Sequence, residues 1–82
     1  MGLNNEELEM SVRSIIAEAL KVDESIITSD LSIGDIPEWN SMGNLAIMAA
    51  LEEKMEVEIP MEDLFDMTSV QSIIGEIKKL KK

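Results

Sequence analysis

The sequence predicts an all-α fold: a small four-helix bundle of three main helices and one short helix, with a long loop between helices one and two. Two observations predict it. Apolar residues recur at helical spacing near both ends of the chain, as Leu8, Val12, Ile15, Ile16 and Ala19, and again as Val70, Ile73, Ile74, Ile77 and Leu80. Between them, Leu45 to Leu51 contains no polar side chain over almost two turns. The alternating stretch Glu56-Val57-Glu58-Ile59-Pro60 is too short to build a sheet alone and reads as an extended connector.

Each element has its own signals. Met1 to Leu3 read as a short tail. Asn4 can cap a first helix over about 4–21, with Glu7 at the third helical position and Glu6, Glu7 and Glu9 near the positive end of the dipole. Val22 to Asn40 has no sustained helical period, and Pro37 biases Ile36 away from helix. It reads as a loop with one short helical turn, pinned by Ile26, Ile27, Leu31, Ile33 and Ile36; a loop this long is functional, mobile or a crossover between two parallel helices. Residues 41–55 form the second helix. A helix this apolar is either central or meets something else on its outer face, so part of Leu45, Ala46, Ile47, Met48 and Ala50 should be exposed. Met42, Met48 and Met55 are either core filler or an adaptable wall. A short third helix is expected over 61–66. Thr68, with Gln71 three residues on, is expected to cap the last helix, 69–80. Lys78, Lys79, Lys81 and Lys82 lie at its negative end, where they serve helix electrostatics and solubility.

Composition narrows the chemistry. The 82 residues make one domain, 1–82, without cysteine, histidine or tyrosine. That removes thiolate chemistry, the commonest general base and the commonest zinc ligand. Seventeen acids face seven bases for a net charge of −10. Such a surface repels nucleic acid and anionic membrane and attracts proteins with basic patches. No apolar run approaches the roughly 18 residues of a membrane span. Glu6, Glu7 and Glu9 stand where a signal peptide would be basic, so a soluble, cytoplasmic monomer without membrane insertion is expected. Adjacent carboxylates such as Glu52/Glu53 do not share a helix face and form no acid–base dyad. No calcium loop or glycine-rich phosphate cradle is present, and no metal site is expected.

What remains is Trp39-Asn40-Ser41-Met42-Gly43-Asn44-Leu45. Asn40 is a good N-cap and places Ser41 in the first turn of the second helix. Free N–H groups and the helix dipole there suit a phosphate on Ser41 Oγ. Gly43 and Asn44 keep the approach small, and Trp39 reads as a part-exposed side chain for a partner or bound chain. A serine opening a helix is also commonly just a cap.

These residues resemble the acyl carrier protein family, the phosphopantetheine-binding carriers. The family's Asp-Ser-Leu stands here as Asn40-Ser41-Met42. Ala50-Leu51-Glu52-Glu53-Lys54-Met55-Glu56-Val57-Glu58-Ile59-Pro60 is similar to the end of the family's second helix and its connector. Met67-Thr68-Ser69-Val70-Gln71 is similar to its approach to the last helix. The likeness runs from about Glu7 to Leu80. It implies that Ser41 is esterified by 4′-phosphopantetheine, taken from coenzyme A by a phosphopantetheinyl transferase. The arm's thiol would hold acyl or aminoacyl groups as thioesters. The carrier itself would be no enzyme. It would present cargo to a loading ligase or transferase and to downstream synthases of lipid, polyketide, peptide or polysaccharide biosynthesis. Docking would use the second helix and the loop before it: Trp39, Asn40, Met42, Gly43, Leu45, Ala46, Ile47, Glu52 and Glu53. The bundle interior beside the second and third helices would shelter an acyl chain.

Two departures shape the expectation. Asn40 replaces the usual aspartate, so modification is slower or needs a dedicated transferase if that carboxylate helps hold the transferase's metal. Gly43 and Ala46 stand where carriers of fatty acid synthesis usually show acids. Both favour a specialised carrier with an apolar docking face. The alternative is a carrier-derived, non-covalent acidic adaptor that has lost its arm.

Overall fold

The computed structural model describes residues 4–81; the expected tail, Met1–Leu3, and Lys82 lie outside the described residues. Three α-helices, α1 (Asn5–Leu20), α2 (Ser41–Met55) and α3 (Val70–Leu80), are joined by two 3₁₀ segments, Glu24–Ile26 and Met61–Asp66. The bundle matches the expected all-α class, with one refinement: the short third helix is 3₁₀, not α. Six residues is long for that tighter coil, which seldom runs past about four, and Pro60 fixes the approach to it.

Helix α1 starts as its sequence requires. Glu7 N–H donates to Asn4 Oδ1 (2.8 Å), and Asn4 N–H donates to Glu7 Oε1 (3.3 Å). The helix ends at Lys21, whose left-handed backbone (φ 60°) lets Val22 N–H reach Ala17 O at 3.0 Å. The apolar stripe Leu8, Val12, Ile15, Ile16 and Leu20 is buried. Helix α1 packs against both α2 and α3 and is the central helix. Helix α2 takes the other option open to an all-apolar helix. Ile47, Met48, Leu51 and Met55 face the core, while Met42, Leu45, Ala46 and Ala49 face out.

The long loop is sewn to the bundle. Asp23 caps its 3₁₀ turn by accepting from Ser25 N–H (2.9 Å). Arg13 Nε donates to Ile27 O at 2.8 Å, and the Ile27 side chain is fully buried. Ser32 and Ser69 form an isolated antiparallel bridge, with Ile33 N–H donating to Thr68 O (2.8 Å) and Val70 N–H to Leu31 O (3.0 Å). That bridge holds Thr68 in the connecting backbone and moves the cap one residue along. Ser69, not Thr68, caps α3: Ser72 N–H donates to Ser69 Oγ, and Ser69 N–H donates to Ser72 Oγ, both at 3.1 Å.

The lysines of α3 reach other elements. Lys78 pairs with Glu9 of α1 (3.3 Å), and Lys79 lies 3.3 Å from Glu76 and 3.8 Å from Asp63. Lys81 Nζ donates to Met55 O, a free carbonyl at the end of α2 (3.0 Å). Among the described residues no helix is long and apolar enough to cross a membrane, and no group of three or more acidic side chains could hold a metal ion.

Candidate functional site

The site is the joint between the loop and α2. Gly34 has φ +89°, a left-handed backbone that favours glycine, and its N–H donates to Trp39 O (2.8 Å). Trp39 N–H donates to Ile36 O (3.1 Å), closing a tight turn around Pro37. The Trp39 side chain then enters the core and is 0% exposed. A buried indole needs an acceptor. Trp39 Nε1–H finds one in Asn44 Oδ1 at 2.9 Å, across the first turn of α2.

Asn40 caps that turn, its Oδ1 accepting from Gly43 N–H (2.8 Å) and its carbonyl from Asn44 N–H (2.8 Å). Gly43 is required by contact, since a Cβ there would lie 2.4 Å from Glu38 O and 2.8 Å from Leu20 Cδ2. The helix start is thereby pressed onto the loop and the end of α1. Ser41, between these fixed residues, is exposed, and its Oγ makes no hydrogen bond among the described residues. The backbone N–H groups of Ser41 and Met42 are likewise unbonded among the described residues, and α2 has no acid in its first turn.

Several of the expected docking residues are placed elsewhere. Trp39 and Ile47 are both 0% exposed and belong to the core, so neither can meet a partner in this conformation. Trp39 is buried because Asn44 satisfies its only polar atom; Ile47 is buried because it lies on the inner side of α2. Gly43 faces the loop and α1. Glu52 is exposed, but its Oε2 accepts from Ile59 N–H (3.0 Å) and anchors the connector after α2. The outward surface beside Ser41 consists of Asn40, Met42, Leu45 and Ala46, with Glu53 further along. Met42 is 75% and Leu45 61% exposed. Asn44 is the structural residue that the sequence did not single out as a bonding partner; its five-residue spacing from Trp39 is a signal only once both are known to flank a helix start.

An exposed hydroxyl with no neighbouring base is not a self-sufficient nucleophile, but it is open to modification by another protein. A family model described as a phosphopantetheine attachment site matches residues 11–77. The chain belongs to this family. Its group is 4′-phosphopantetheine, held covalently, and its role is that of a carrier and not an enzyme. As a carrier it works with a phosphopantetheinyl transferase and with biosynthetic enzymes. The fold is similar to the solution NMR structure of holo acyl carrier protein from Geobacter metallireducens. That match has a TM-score of 0.77 and 18% identity, and covers 87% of this chain and 82% of that chain. The joint suits the group: two free N–H donors at a helix start favour a phosphate, and no first-turn carboxylate opposes it.

Proposed function

We propose that residues 1–82 form one carrier domain and that Ser41 is the attachment residue. The observation that carries this is the exposed, unbonded Ser41 hydroxyl at an open helix start, held between residues fixed on either side. In the loading step Ser41 Oγ gives its proton to a base of the transferase and forms a bond to the phosphorus of coenzyme A nearest the pantetheine. The pyrophosphate P–O bond breaks and adenosine 3′,5′-bisphosphate leaves. When attached, the arm supplies a terminal thiol that holds an acyl or aminoacyl group as a thioester.

Partners dock on the exposed Met42, Leu45 and Ala46 next to Asn40, with Glu53 as the polar edge of that face. The absence of first-turn acids on α2 favours recognition by apolar contact over salt bridges, and with it a specialised carrier of cytoplasmic lipid, polyketide, peptide or polysaccharide assembly.

Intact mass tests the reading. The protein is incubated with coenzyme A, magnesium and a broad-specificity phosphopantetheinyl transferase, beside Ser41→Ala. One arm added to wild type and none to the variant is expected. Addition to both would move attachment off Ser41. No addition with any transferase, the source's own included, would leave the non-covalent adaptor.

A further inference from the structure

The loop before Ser41 carries an open groove of about 400 Å³ that ends at Asn40 and Ser41. Its walls are Ile33, Gly34, Ile36 and Pro37, and Trp39 lies at its base. We propose that this groove is the resting site of the chain's own pantetheine arm. The proposal rests on attachment at Ser41 and adds where the arm lies between reactions.

Direction favours the groove. Side chains on a helix tilt toward its N-terminus, so the hydroxyl of the first residue of α2 leans back over the loop and away from the rest of the helix. Chemistry favours it as well. The pantetheine segment has a geminal dimethyl group, short methylene runs and two amides. Ile33 and Ile36 are half-buried and offer aliphatic surface. The N–H of Ile36 and the carbonyls of Ile33 and Gly34 are unbonded among the described residues, giving a donor and two acceptors along the same stretch. Space above Gly34 is open, since a Cβ there would meet nothing within 4 Å. The volume lies in the range of pockets that hold small ligands, about 300–1,000 Å³.

The tether makes weak contacts sufficient. A ligand held by a short flexible link is present at millimolar effective concentration, so an affinity too low to matter for a free molecule still populates the groove. The floor is firm, because Trp39 is locked to Asn44 and its backbone to Ile36 and Gly34. With the arm laid along the loop, the exposed face of α2 stays free for a partner.

Isotope-filtered NMR on the loaded protein decides the matter. Intact mass first confirms one arm on wild type and none on Ser41→Ala. Nuclear Overhauser effects from the arm's geminal methyls to the methyls of Ile33 and Ile36 are expected. In Ile36→Ser they should be lost, while the mass still shows full loading. Contacts to Leu45, Met61 or Phe65 instead would overturn the proposal, as would arm resonances with the shifts and relaxation of free coenzyme A. An unloaded wild type would remove the attachment reading and this inference with it. The wild-type pattern is decisive even if Ile36→Ser fails to fold.

Discussion

Gly43 is small because a backbone oxygen occupies the place of its side chain. Gly43→Ala sets a methyl 2.4 Å from Glu38 O, which the turn can relieve only by moving the start of α2. Overpacking of this kind costs about 1–3 kcal/mol. Urea denaturation of Gly43→Ala should show that loss, and transferase loading at the proposed attachment residue, Ser41, should slow alongside it; unchanged stability would mean that the loop yields. Glu56 is the converse. It ends α2 with φ 55° and ψ 50°, a left-handed backbone, and puts a negative charge at the negative end of the dipole. Glu56→Gly relieves both and should raise stability by about 0.5–1 kcal/mol, measured in the same denaturation assay. The sequence made Asn40 readable as the N-cap and Ser41 as a first-turn residue, because capping is local chemistry. It did not reveal the fate of Trp39. Large aromatics suit both cores and interfaces, and the partner that permits burial here, Asn44, lies on the next element.

Helices α1 and α2 were legible almost to the residue, since caps and periodicity act within a few positions. The start of α3 was displaced by one residue because a distant strand-like contact, Ser32 to Ser69, set the local backbone. The lysine cluster follows the same logic. Helix electrostatics accounts for four bases at one end, but only the fold assigns Lys78 to α1, Lys79 to the second 3₁₀ helix and Lys81 to the end of α2. The second 3₁₀ helix meets α3 through Asp63, Glu76 and Lys79. Glu76 Oε2 is buried without a hydrogen-bond partner. Its carboxyl is raised from its ordinary value chiefly by the neighbouring Asp63 carboxyl, to which it can hydrogen-bond only when one of the two is protonated, with burial adding to the effect and Lys79 opposing it. A raised carboxyl adds stability while protonated and loses it as pH rises through its folded value, above the ordinary 4.5. Glu76→Gln keeps a donor without the charge. Urea midpoints measured from pH 4 to 8 should fall with rising pH more in wild type than in Glu76→Gln. Parallel profiles would show that the Asp63–Glu76 contact carries no such linkage.

Across the molecule, charge sets a limit on stability. Residues 1–77 hold all seventeen acids and three of the seven bases, a net of −14, so the fold works against its own repulsion. No acidic cluster suited to a metal ion is present among the described residues, so the expected relief is diffuse. Millimolar calcium or magnesium should raise the melting temperature, and sodium chloride at matched ionic strength should do nearly as well. For a domain of this size, a gain of about 1 kcal/mol appears as a rise of roughly 4–8 °C. A melting temperature indifferent to all three salts would show that the surface charges are already too dispersed to matter. The all-α class was legible because periodicity encodes it directly. The exposure of α2 was legible only as a choice between two options, since which helix becomes central depends on how all three pack.

The contact between Ser32 and Ser69 has a mechanical consequence. The segment between the two serines contains α2 and the second 3₁₀ helix, so the bridge closes it into a loop at its foot. It is fastened along α2 as well, whose inner face lies in the core and whose Met55 carbonyl accepts from Lys81. Ser41 is nine residues from Ser32 and Met55 fourteen from Ser69, so both ends of α2 lie within a short span of chain from the same tie. The joint that presents Ser41 is therefore left with little slack.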